Sequence, residues 1–218
     1  MDAPSPILAV VTDRTRLSPN WALAQACAEA VSGGANLLIL AETDLKPEHR
    51  AKLAEFLLQA AKGRCPVIAL SHAEFAHNTH LHGALVAVPA ELEPARQVLG
   101  PAAALGVVLQ HPADAASCSS ADFVLAVLPW NTPYQAFAQL QMLLQTCPAP
   151  VVAGLDMTTE QAAECLQMGA RGIALCSAAM CSEDRSAELA RYAQAIGIPV
   201  AGWEGPAGIL PKDLPCAR

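Results

Sequence analysis

Short apolar runs alternate with amphipathic stretches along this chain. The strand-like runs are "ILAVVT" (7–12), "NLLILA" (36–41), "PVIAL" (66–70), "ALVAVP" (84–89), "LGVVLQ" (105–110), "DFVLAVLP" (122–129), "PVVAGL" (150–155) and "RGIALC" (171–176). Each is shorter than a typical helix and nearly continuous in apolar residues. Strands covered on both faces of a parallel sheet read this way, because no face is left for polar side chains.

Segments of helical period lie between the runs. "SPNWALAQACAEAVSGG" opens on Ser-Pro and stops at glycine, and "KPEHRAKLAEFLLQAAKG" opens on Pro-Glu and ends in glycine; both match helix polarity. "YQAFAQLQMLLQTC" and "EDRSAELARYAQAIG" are two more. In "TTEQAAECLQMGA", Thr158 is the expected N-cap and Gly169 the stop. The segments after the third, fourth and fifth runs are shorter. Eight strands alternating with helices predict an α/β fold, a single (β/α)8 TIM barrel. An open doubly wound sheet is the runner-up. It calls for a glycine-rich loop after the first strand, and "VVTDRTRLSP" has no glycine. The barrel is assigned to residues 1–197. A ninth apolar run, "GIPVAGWE", breaks the eight-fold count, so residues 198–218 are read as a short C-terminal tail packed on the barrel or extending from it.

Composition supports a large core: 53% of the 218 residues are hydrophobic and 15% charged. The net charge of −7, with no run of Lys or Arg, argues against nucleic acid. The opening "MDAPSPILAVVTDR" carries an early acid and no basic region, unlike a secretory signal, and no apolar run nears the roughly 18 to 20 residues that span a bilayer. The expectation is a cytoplasmic protein that does not enter a membrane. None of the eight cysteines forms a C-x-x-C pair, so they read as small, buried and reduced. Cys176 and Cys181 are the pair nearest in sequence.

With the elements in order, a family resemblance emerges. "ILAVVTDR" resembles the first strand of thiamine phosphate synthases and the related thiazole tautomerases. "SADFVLAVLPWNT" is similar to their sixth strand, and "PVVAGLDMTTEQAAECLQMGARGIALCSAAM" to their strand 7–helix–strand 8 block. The resemblance spans roughly residues 7–185 and implies the same barrel. It also implies Mg2+-dependent joining of a phosphorylated thiazole to a pyrimidine pyrophosphate, with release of pyrophosphate. That chemistry needs cations around the leaving group and carboxylates for the metal.

Carried over one position at a time, most of that equipment is missing. Ala41 and Thr43 stand where the family has an Arg and a Lys after strand 2. Leu70, Ser71 and His72 replace Asn-Asp-Arg after strand 3. Pro89 replaces a metal-binding Asp after strand 4, and Leu109 a serine after strand 5. No lysine follows strand 6 in "WNTPYQAF". Leu155 and Asp156 replace the phosphate-binding Gly-Gly after strand 7. Losing one such group typically costs about 10²–10³ in rate. No cofactor is therefore assigned: Mg2+ is expected for the family, but its ligands are not found, and the metal site is read as none.

His111 in "LQHPAD" survives at the position where the tautomerase branch has its proposed acid–base histidine, and it is the one catalytic candidate. A solvated or capping loop histidine is the alternative. Ser177 keeps a family phosphate-contact position. The ligand-binding candidates are His72, Trp130, Asp156, Ser177 and Glu42. Asp13 and Arg14 follow strand 1 at the expected active face, and Glu42, Asp44, His72, His111, Asp156 and Cys176, which also follow strand ends, could converge on one mouth. Two functions fit: a divergent protein binding or isomerising a thiamine-related or other small heterocycle at that mouth, or an inactive family member serving a protein partner. A homo-oligomer fits either. The histidine-rich "SHAEFAHNTHLHG" is not one site in this frame: at about 1.5 Å per helical residue, His72 and His80 lie roughly 12 Å apart. His80 and His82 fall at the opposite end of the barrel, as a weak H-x-H pair or a solvated loop.

Overall fold

The computed structural model describes residues 5–18 and 22–199. Eight parallel strands close on themselves in chain order, β8 pairing with β1. They are β1 (Ile7–Val11), β2 (Leu37–Leu40), β3 (Val67–Leu70), β4 (Gly83–Val86), β5 (Ala104–Leu109), β6 (Phe123–Val127), β7 (Val151–Gly154) and β8 (Gly172–Leu175). Each overlaps a predicted apolar run, with ends that agree to within two residues except at β4, which stops three residues short of the run's end. Of these strand residues only Leu70, Val108 and Val127 are not fully buried, which is why the runs carry no polar alternation. The chain is thus a single (β/α)8 barrel.

The outer ring comprises α1 (Leu23–Ser32), α2 (Pro47–Ala61), α3 (Ala73–Asn78), α4 (Leu92–Leu99), α5 (Pro133–Thr146), α6 (Thr159–Gln167), the short α7 (Ser177–Met180) and α8 (Arg185–Ala195). Thr158 caps α6 as expected, in a full capping box with Gln161. Two expectations are adjusted. The first helix begins at Leu23 rather than at the Ser-Pro dipeptide, and residues 19–21 lie outside the described residues. Between β5 and β6 the chain makes only a 3-10 helix, Pro112–Ser117. Its sequence "PADAAS" has no large apolar side chain with which to bury a helix face. Of the tail, Ile198 is buried and its N–H donates to the Ala193 carbonyl at 2.8 Å; residues 200–218 lie outside the described residues. No helix among the described residues is long and apolar enough to cross a membrane.

Polar side chains lock the base of the barrel. Asn36 accepts from the Leu8 N–H at 2.8 Å and donates to the Pro6 carbonyl at 2.8 Å. His82, from the histidine-rich stretch, is not a solvated loop residue: its Nδ1 accepts the Val67 N–H at 3.0 Å, at the entry to β3. Burial holds His82 below its ordinary 6.5, so it is neutral in the fold, whereas in the unfolded chain it protonates near pH ~6.5. Its contribution is therefore complete above about pH 6.5 and is lost as the pH falls below that value. Urea unfolding of the protein should show the midpoint dropping between pH ~7 and ~5.5. His82→Ala should flatten that drop and cost about 1–3 kcal/mol at neutral pH, because Val67 loses its acceptor.

Candidate functional site

The C-terminal ends of β1, β2, β7 and β8 surround a cavity of about 360 Å³. Its polar lining includes Asp13, Arg14, Arg16, Glu42, Asp44 and Asp156. Charges alternate around it. The Arg14 guanidinium donates to Glu42 at 2.6 Å and also to Asp44, and the Arg14 backbone N–H donates to Glu42 at 2.8 Å. Glu42 is only 3% exposed, so this pairing is what allows a carboxylate to be buried there. Arg16 bonds Asp13 at 3.0 Å, reaches Asp156 at 3.4 Å and donates to the Ser177 hydroxyl. The Thr15 hydroxyl, with Arg16 beside it, holds the Asp13 carboxyl below its usual range.

Asp156 has the most telling position. Its φ of +62° lies in the left-handed region that glycine favours and aspartate tolerates. Its Oδ1 accepts the Ser177 N–H at 2.7 Å. The turn after β7 therefore keeps a glycine-like backbone conformation, but the side chain brings its own anion to the backbone donor after β8. The family resemblance made Ser177 a phosphate-contact position; in the structure its N–H is already used by Asp156. Cys176, beside it, is buried, and burial pushes its thiol up to about 12 despite the nearby Arg16. It is therefore an inert thiol rather than a nucleophile. The cysteines among the described residues are free, Cys181 exposed and Cys176 not bonded to it.

The remaining candidates scatter. His72, exposed, lines a separate cavity on the β2–β4 side. His111 is exposed at the cap of the 3-10 helix after β5, and it does not line the Asp156 cavity. Trp130 is 7% exposed and meets Phe137 edge-on at 5.4 Å, the packing of a side chain that closes the barrel end. The structure thus joins Glu42, Asp156 and Ser177 and leaves His72, His111 and Trp130 outside.

Two arginines that line cavities at the strand ends, Arg16 and Arg50, had escaped the sequence reading. Arg16 sits one turn beyond Asp13 in "DRTR", a spacing that carried a signal. Arg50 is taken up below.

The donors do not fit Mg2+. Each carboxylate of the cavity faces an arginine, and no group of three or more His, Cys, Asp or Glu among the described residues is arranged to hold a metal ion.

Comparison with known proteins bears on the fold and the family. The structure is similar to thiamine phosphate pyrophosphorylase from Pyrococcus furiosus, with a TM-score of 0.75 and 22% identity over 90% of this chain and 97% of that one. At that identity the likeness speaks for the fold. No curated protein matches the chain. The family pattern described as thiamine monophosphate synthase matches residues 8–179. The chain therefore belongs to the thiamine monophosphate synthase family.

Proposed function

We propose that this protein binds a small heterocyclic ligand, thiamine-related and without a phosphate, at the C-terminal mouth of its barrel. In this reading it does not carry out the family's pyrophosphate-releasing condensation. The observation that carries the proposal is the Asp156 carboxylate on the Ser177 N–H. A phosphate brought to that donor would meet a fixed negative charge and find the hydrogen bond taken. Arg14 and Arg16, the cations of the cavity, are each engaged by carboxylates. Pyrophosphate leaving from this mouth would have no free cation to stabilise it.

A cavity with convergent polar groups favours a ligand over a purely structural role. The exposed large apolar side chains Phe56, Val88, Val98, Tyr134 and Met142 are spread over α2, the β4 loop, α4 and α5, which gives a protein partner less support. His111 lies outside the cavity lining and has no part in this reading.

The test is direct. Purified protein incubated with the thiazole phosphate, the pyrimidine pyrophosphate and Mg2+ is expected to form no thiamine phosphate above the protein-free background, read by chromatography. Robust Mg2+-dependent turnover would overturn the proposal.

A further inference from the structure

The cavity that holds His72 contains a feature the mouth does not explain. It measures about 570 Å³ and is lined from the ends of β2, β3 and β4 and from α2, α3 and α4. It shares no lining residue with the Asp156 cavity. Arg50, on the first turns of α2, lines it and is only 4% exposed. Its Nη2 donates to the Leu70 carbonyl at 2.7 Å and to the Leu40 carbonyl at 3.5 Å. Its Nε is buried without a partner. The guanidinium lies 4.3 Å from the centre of the Phe75 ring.

Among the described residues Arg50 forms no ion pair. Carbonyls and an aromatic face satisfy part of its donor fork but do not neutralise its charge. Burying such a guanidinium is costly and pulls its pKa below the ordinary arginine value; the charge of Glu42, which pairs directly with Arg14, offsets this only in part. Glu74 and Glu91 line the same cavity, yet neither closes on Arg50. The strand end it grips is itself strained: Ser71, next to Leu70, has a φ of +74°. Such conformations are kept where a site needs them.

We infer that this cavity is a second binding site, for a small organic monocarboxylate with an apolar body. Arg50 supplies the counter-charge for the carboxylate, and the planar fork suits that group. Phe75, Val86, Pro94 and Val98 receive the apolar part. The two glutamates disfavour a doubly charged phosphate, since each added negative charge is repelled. The site stands independently of what the mouth binds.

Benzoate is the probe, and its neutral twin benzamide the control. By titration calorimetry on the full chain, benzoate should bind saturably. Benzamide should bind on the order of tenfold more weakly or worse, because it cannot offer a charge-assisted bond. Arg50→Gln should lose benzoate binding to a similar degree. If that variant does not fold, Val98→Trp decides: it adds bulk to the cavity from α4, at an exposed position that makes none of Arg50's contacts, and it should also abolish binding. Inorganic phosphate should not displace benzoate. Equal binding of benzoate and benzamide, unchanged binding in Val98→Trp, or displacement by phosphate at equal concentration each overturns the inference.

Discussion

Replacing Gly83 with alanine should cost more than about 4 kcal/mol and send most of the chain to the insoluble fraction. Gly83 opens β4 and pairs with Ile68 on one side and Ala104 on the other. A Cβ built there falls 1.9 Å from the Ala104 carbonyl oxygen and 2.7 Å from its carbon. Both are backbone atoms of β5, which cannot rotate away as a side chain would. The adjacent bond, Ala104 N–H to the His82 carbonyl at 2.9 Å, holds the two strands at this distance. Relief would require parting β4 from β5 at the base of a closed barrel, where no free edge can absorb the movement. Gly100→Ala is the control. Nothing lies within 4 Å of its added Cβ, and the penalty is only its φ of +80°, about 1–3 kcal/mol. Urea unfolding of the soluble fractions separates the two. A Gly83→Ala protein as stable as Gly100→Ala would contradict the close approach.

The same closeness explains which parts of the fold could be read from sequence. The strands were legible because a closed barrel under a ring of helices buries both strand faces, and "NLLILA" or "PVVAGL" has no other economical fate in water. Helices α2, α5, α6 and α8 were legible through period and caps. The β5–β6 connection was not, since "PADAAS" has neither a stripe nor a stop. Gly83 gave no warning, because the clash that demands it comes from a strand about twenty residues further on. At the mouth, strand order alone pointed to Glu42, Asp44, His72, His111, Asp156 and Cys176 as one group; Glu42, Asp44, Asp156 and Cys176 line one cavity with Asp13 and Arg14, and the two histidines do not. It could not exclude His72 and His111, because a residue just past a strand end turns either toward the axis or toward the neighbouring helices. Arg50 was legible in hindsight. It falls in line with Ala54, Leu57 and Ala61, the buried stripe of α2, and a cation on such a stripe is a buried charge awaiting an explanation.

Arg14→Met should destabilise the protein by about 2–4 kcal/mol, because it strips the counter-charge from a buried carboxylate. Glu42, 3% exposed, would keep the backbone N–H of residue 14 and the charge of Arg50, which makes no direct ion pair with it. The lower end of that range allows for the solvent that reaches Arg14, whose side chain is 35% exposed. Asp44, the guanidinium's other partner, is 64% exposed; once released it returns to water, so Asp44→Asn should leave the unfolding midpoint nearly unchanged. The decisive variant is the double one. If the penalty in Arg14→Met arises from an unpaired buried charge, then Arg14→Met/Glu42→Gln, which removes that charge at constant shape, should recover at least half of the loss. If lost packing of the arginine stem were the cause, the double variant would be no more stable than the single one. Denaturant midpoints of the unaltered protein, Arg14→Met, Glu42→Gln and the double variant at neutral pH complete the cycle. The outcome bears on ligand binding as well, because Arg14 and Glu42 form one wall of the Asp156 cavity. A wall held by a strong pair presents a fixed, charge-balanced surface before any ligand arrives, and such preorganisation lowers the cost of binding for a ligand that, as proposed, has no phosphate to anchor it.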